Sequence, residues 1–160
     1  MRERLQVPGG IYSSGHVGWA FLENRENGTW KAGANEGPAL MVKGFPVYGT
    51  SSSDWTDAGQ SWSQVVSDFR AQVNGFEWYR CQSLPSWNNT AASAKYTAQL
   101  HEKYTVPNSD CLSDAVNILR AYGANGLAAS FSSPLYPNAQ PSWYFLNALS
   151  NFSPITALGS

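Results

Sequence analysis

The sequence predicts an α+β fold, a small antiparallel sheet packed against helices, on three observations. Residues 15–23, Gly-His-Val-Gly-Trp-Ala-Phe-Leu-Glu, alternate as a half-buried strand does. His16, Gly18, Ala20 and Leu22 fall on one face, and Val17, Trp19 and Phe21 on the other. The Asn27-Gly28 pair behind them is a strong hairpin signal. Two apolar stripes at helical spacing follow: Trp62, Val65, Val66, Phe69 and Val73, then Leu112, Ala115, Val116, Leu119 and Tyr122.

The other elements follow in chain order. Residues 29–35 should return antiparallel to the first strand, ended by Gly33, Gly37 and Pro38, and residues 39–42 or 45–48 add a further short strand. The Ser-, Asp- and Gly-rich stretch 50–59 reads as a loop. The helix from Trp62 stops at Gly75, and the aromatic segment 76–82 reads as a strand. Asn88-Asn89-Thr90 caps an alanine-rich helix running toward His101. Pro107-Asn108-Ser109-Asp110 stops the chain and caps the helix behind it, which Gly123 closes at the C′ position. A last short helix begins at Pro141 and carries Trp143, Leu146 and Leu149 on its apolar side.

A chain of 160 residues with 42% hydrophobic and 14% aromatic content builds one substantial core, hence one domain. The net charge of -1, with only 13% of residues charged, offers no basic face for phosphates, so nucleic acid is not an expected partner. No apolar run approaches a membrane span or a secretory leader, and the expected location is cytoplasmic. Two cysteines and two histidines are too few for a zinc site or a disulfide framework, so no metal and no cofactor are expected.

Chemistry concentrates at Cys111. With Ser109 or Asp110 as N-cap, Cys111 stands in the first helical turn, where unpaired backbone N–H groups and the helix dipole stabilise an anion such as a thiolate. Acyl transfer at a cysteine needs a base within hydrogen-bond reach and a third polar group to orient it. The candidate bases are His16 and His101, and His16 is preferred because a hairpin strand is a rigid platform. A hairpin pivoting near Arg25 and Glu26 sets position 35 opposite the neighbourhood of His16. Asn35 is thus the first candidate orienter and Glu36 the second, since a one-residue slip in register exchanges their faces.

The strand sequence Gly-His-Val-Gly-Trp, a polar residue on the next strand, and then Asn-Ser-Asp-Cys-Leu-Ser-Asp-Ala-Val-Asn-Ile-Leu-Arg-Ala-Tyr-Gly on a helix together resemble the NlpC/P60 papain-like superfamily. The order His before Cys resembles its circularly permuted branch, which includes lecithin:retinol acyltransferase-like proteins. The resemblance covers two segments, and Asn35 stands where the family commonly has His. It implies one papain-like catalytic domain over residues 1–160, with Cys111 as nucleophile, His16 as base and Asn35 as third member. The implied reaction is attack of Cys111 on an amide, ester or thioester carbonyl through a thioacyl intermediate, with a peptide or an acylated small molecule as substrate. His16 accepts the thiol proton and returns it to the leaving group, and the backbone N–H of Cys111 is placed to hold the oxyanion.

Other functions remain open at the level of sequence. Low charge and abundant aromatics also suit a non-catalytic glycan- or peptide-binding module, with Trp55 and Trp87, in loop-like surroundings, lining a cleft. An aromatic surface also suits an oligomer contact. Cys81, between Arg80 and Gln82 in an aromatic segment, reads as a core residue.

Overall fold

The structure, a computed structural model, describes residues 2–3, 16–34, 41–42, 45–46, 55–72, 76–100, 111–127 and 141–158. Strand β1 is Arg2–Glu3, β2 Val17–Asn24, β3 Thr29–Ala34, β4 Met41–Val42, β5 Phe45–Pro46, β6 Trp55–Gln60, β7 Trp78–Tyr79 and β8 Thr156–Ala157. The helices are α1 at Trp62–Ala71, α2 at Asn89–Gln99, α3 at Cys111–Tyr122 and α4 at Pro141–Asn147. Six strands form one sheet in the order β6-β3-β2-β1-β7-β8, with every pairing antiparallel, and β4 and β5 pair by themselves. Helices and a small antiparallel sheet make this an α+β protein.

The β2–β3 hairpin forms where the Asn-Gly pair sets it. Asn24 Oδ1 accepts from the Glu26 amide at 2.9 Å, and Gly28 takes φ +68°, a left-handed conformation that glycine adopts without steric cost. Trp19 then pairs with Gly33 and Phe21 with Lys31. The alternation expected of β2 decides where both layers of core sit. Val17, Trp19 and Phe21 pack with α2 and α3, including Ala92, Leu112, Ala115 and Val116. The opposite face carries Ala20 and receives Val65 and Phe69 of α1. Gly18 lies against the Phe69 ring, and a Cβ there would also stand 2.9 Å from the Gly33 carbonyl, so only glycine lets α1 approach so closely.

Helix ends follow their capping chemistry. Ser61 Oγ accepts from the Gln64 amide at 3.2 Å to start α1, and Asn88 Oδ1 accepts from the Ala91 amide at 2.9 Å to start α2. α3 closes at Gly123, with φ +118°, as Ala124 N–H donates to Leu119 and Gly123 N–H to Arg120. This paired pattern is the Schellman motif. The cap also joins two helices, since the Asn88 amide donates to the Tyr122 carbonyl at 2.8 Å.

Four expectations need correction. Residues 55–60 are an edge strand, not loop: β6 pairs with β3 from Ala34↔Trp55 to Trp30↔Gln60, and an edge strand with exposed side chains needs no apolar alternation. The aromatic strand is shorter than expected, Trp78–Tyr79 alone, because its neighbour β1 is only two residues long. α1 ends at Ala71, before the expected stop, with Gln72 in extended backbone. α4 turns a different face inward: Tyr144, Phe145 and Leu149 are buried, while Trp143 and Leu146 are exposed. A seven-residue helix is two turns, too short for its stripe to be fixed by periodicity against the pull of local packing.

Arg80 ties the C-terminal segment to this frame. Its guanidinium donates to the carbonyls of Phe145, Leu149 and Ser153 at 2.8–2.9 Å and to that of Phe152 at 3.4 Å. Burial pushes its pKa down from the ordinary arginine value. The adjacent Cys81 carbonyl accepts from the Ser153 amide at 2.7 Å, which extends the β7–β8 pairing by side contacts beyond Tyr79.

Candidate active site

Cys111 opens the described part of α3, Cys111–Tyr122, and the residues before it, the expected N-caps among them, lie outside the described residues. Its side chain is 4% exposed and belongs to the core that holds Val17 and Trp19. Cys81, expected in the core, is instead the exposed thiol of the pair, and the two are not joined in a disulfide. The reason is register. Residue 81 lies past the end of β7, where the chain follows the surface segment at Ser153 instead of crossing the core.

The direction of α3 brings Cys111 to the start of β2. Tyr122, at the far end of the helix, donates its hydroxyl to the Leu22 carbonyl at 2.8 Å and stacks on Phe21 with ring centres 4.9 Å apart. Burial raises the Tyr122 pKa and this hydrogen bond lowers it again in part. From Tyr122 back to Cys111 α3 advances roughly 16 Å, and from Leu22 back to Val17 β2 covers about the same distance. α3 packs on β2, and Cys111 and Val17 belong to one buried core.

His16 immediately precedes that strand. Its ring lies 5.5 Å from the Phe76 ring, and Phe76 packs edge-on against Phe69 at 4.8 Å. The imidazole thus sits with the α1 layer, as the strand alternation dictates, while Cys111 belongs to the α3 layer. Asn35 and Glu36, the candidate orienters, lie outside the described residues, as do His101, Ser109 and Asp110.

Polar groups that the motif did not single out surround the first turn of α3. Ser113 and Asp114 are both buried, and Asp114 accepts from Gln99 Nε2 at 2.8 Å across the α2–α3 contact. Gln99 is 2% exposed, and among the described residues its Oε1 has no hydrogen-bond partner. Asp114 follows Cys111 by three residues, which puts both on one side of the helix, and a carboxylate in a first turn is favoured by the helix dipole. The visible signal in sequence was an Asp interrupting an apolar stripe. Among the described residues no group of three His, Cys, Asp or Glu side chains could hold a metal ion.

A cavity of about 310 Å³ opens at the other end of α3. Trp30, Trp62 and Tyr79 form a continuous aromatic wall, with ring centres 4.7 and 5.6 Å apart in sequence. Trp87, under the Arg25 guanidinium at 5.4 Å, lines the opposite side together with Leu119 and Tyr122. Trp87 therefore fulfils its expected place in a cleft, whereas Trp55 belongs to strand β6. Neither Cys111 nor His16 lines this cavity.

No protein-family profile, no curated protein and no solved structure matches this chain. Among the described residues no helix is long and apolar enough to cross a membrane.

Proposed function

We propose that the protein is a cysteine-nucleophile hydrolase or acyltransferase of papain-like type, acting on an amide, ester or thioester carbonyl. The observation that supports this reading is that Cys111, on α3, is buried in the core that also holds Val17, the residue after His16. In the proposed reaction His16 removes the thiol proton, Cys111 Sγ forms a bond to the carbonyl carbon, and the oxyanion is held by helix amides. The leaving group departs with the proton that His16 returns, and water or an acceptor nucleophile releases the acyl group.

Competitive alkylation tests this. Exposure alone favours Cys81, because Cys111 is buried. Iodoacetamide near neutral pH is expected to modify Cys111 at least tenfold faster than Cys81, and His16→Ala to abolish the difference. Faster modification of Cys81, unaffected by His16→Ala, rejects the nucleophile.

A second reading is favoured by the aromatic cavity, which is remote from Cys111: a module that binds a peptide or glycan through Trp30, Trp62, Tyr79 and Trp87. On this reading Cys111→Ser leaves ligand binding intact.

A further inference from the structure

An asparagine followed by glycine can lose its own carboxamide, because the glycine has no side chain to shield its backbone nitrogen. That nitrogen attacks Cγ, and a five-membered succinimide ring closes as ammonia leaves. Three such pairs occur, at residues 27–28, 74–75 and 125–126, and all three present the same glycine to the reaction. The structure describes the first and the third. Both glycines have left-handed backbone, Gly28 at φ +68° and Gly126 at φ +67°, and both asparagines are exposed. They differ in what holds the carboxamide.

Asn125 is held from outside its own turn. Its N–H donates to Gln82 Oε1 and its main-chain carbonyl accepts from Gln82 Nε2, each at 3.0 Å. Its Oδ1 accepts from Gln82 Nε2 at 3.1 Å and from Asn151 Nδ2 at 2.6 Å. A Cβ on Gly126 would stand 2.8 Å from three atoms of the Asn151 side chain, so that side chain also covers the glycine. Closing a ring at Asn125 breaks contacts to two other segments of the chain. Asn27 is held only within the turn. Its N–H reaches Asn24 Oδ1 at 3.5 Å, and its own Oδ1 accepts from Thr29 Oγ1 at 2.8 Å and from the Thr29 N–H at 3.3 Å. A backbone N–H only donates, which fixes the end of the carboxamide that faces Thr29 as the oxygen. Among the described residues Asn27 Nδ2, the leaving group, makes no hydrogen bond, and the Cβ position at Gly28 meets nothing within 4 Å.

We infer that Asn27 is a self-modification site, converted to aspartate or isoaspartate by its own turn with water as the one co-reactant, while the contacts of Asn125 preserve it. Gly28 N gives its proton to a solvent base and bonds to Asn27 Cγ. The charge that builds on Oδ1 meets the Thr29 hydroxyl and amide, two donors already placed as an oxyanion requires. The Cγ–Nδ2 bond then breaks, and the nitrogen leaves as ammonia with a proton from solvent. Water opens the imide at Cγ to give aspartate. Attack at the Asn27 main-chain carbonyl gives isoaspartate instead, with the backbone running through the former side chain. Either product sets a new negative charge beside Glu26, and isoaspartate adds one backbone carbon to the turn that holds Arg25 over Trp87. The chemistry uses neither Cys111 nor the aromatic cavity, so it stands apart from both functional readings.

Incubation of the full folded chain in mildly alkaline buffer, followed by peptide mass mapping and labelling with an isoaspartyl methyltransferase, tests the inference. Products are expected at Asn27 about tenfold faster than at Asn125, because only Asn125 must give up contacts outside its turn. In urea both sites lose their surroundings, and the two rates should become similar. Thr29→Val keeps the branched shape and removes the hydroxyl. It should slow Asn27 in the folded chain about fivefold, the worth of one hydrogen bond in solvent, and leave the rate in urea unchanged. An unchanged Asn125 rate in the same sample shows that this variant is folded. Gln82→Ala should speed Asn125 and leave Asn27 as it was. Equal rates at the two sites in the folded chain, or a faster reaction at Asn125, would overturn the inference. So would a folded Thr29→Val chain that reacts at Asn27 as the parent does, or an Asn27 that stays intact when folded yet reacts in urea.

Discussion

At the residue scale, two charged groups show how the fold sets energetics that a composition cannot. Asp57 on β6 and Asp68 on α1 share a hydrogen bond, and partial burial, followed by this contact and the repulsion from Asp68, raises the Asp57 pKa above 3.8. A carboxyl that holds its proton more tightly when folded favours folding below its unfolded pKa, and that contribution is lost as pH rises through the raised value. At neutral pH the pair therefore opposes folding. Asp57→Asn is expected to raise stability at pH 7 by less than about 1 kcal/mol, since the pair is largely solvated. The gain should vanish by about pH 3, where the native carboxyl is already neutral, and urea denaturation at the two pH values measures both. Arg80 works in the other direction. Its four carbonyl contacts hold residues 145–153, so Arg80→Ala should cost about 2–3 kcal/mol in the same assay, and Arg80→Lys less, because an ammonium has three donors and no planar fork.

At the scale of elements, α3 matters most, because it places the candidate nucleophile. Its C-terminal end is fixed twice: Gly123 closes it, and Tyr122 anchors it to Leu22. Gly123→Ala forces a side chain into φ +118° and sets its Cβ 3.3 Å from the Ser86 carbonyl. A loss of about 1 kcal/mol or more is expected, read as a lowered thermal midpoint. The elements most visible in sequence were those with a self-contained signal. The Asn-Gly hairpin, the stripes of α1 and α3 and the Asn88 cap depend on neighbours within a few residues, and they form where expected. β6 carries no such signal, because its pairing with β3 uses backbone and leaves its side chains outside. β1 and β8, two residues each, are strands only by virtue of the partners beside them.

At the scale of the whole molecule, one sheet carries a core on each face. Trp19, Phe21 and Leu112 lie in one layer, and Phe69, Phe76 and Val65 in the other. Because β2 contributes to both, neither layer can be lost while the other stands. Phe69→Ala, which removes a fully buried ring, should cost about 3–5 kcal/mol. Far-UV circular dichroism and tryptophan fluorescence should still report one coincident transition. Separate midpoints would show that the two layers unfold independently.

The sequence by itself determined the fold class, the β2–β3 hairpin, the apolar stripe of α3, the Asn88 cap of α2 and the Gly123 stop of α3. Each is a local property, written in turn chemistry, capping residues or the periods of 2 and 3.6. Only the tertiary structure decided which thiol is buried, which face of α4 points inward, and that the His16 ring packs with the α1 layer while Cys111 belongs to the α3 layer. These are relations between segments tens of residues apart, fixed by the packing of two layers on a shared sheet, and no local pattern encodes them.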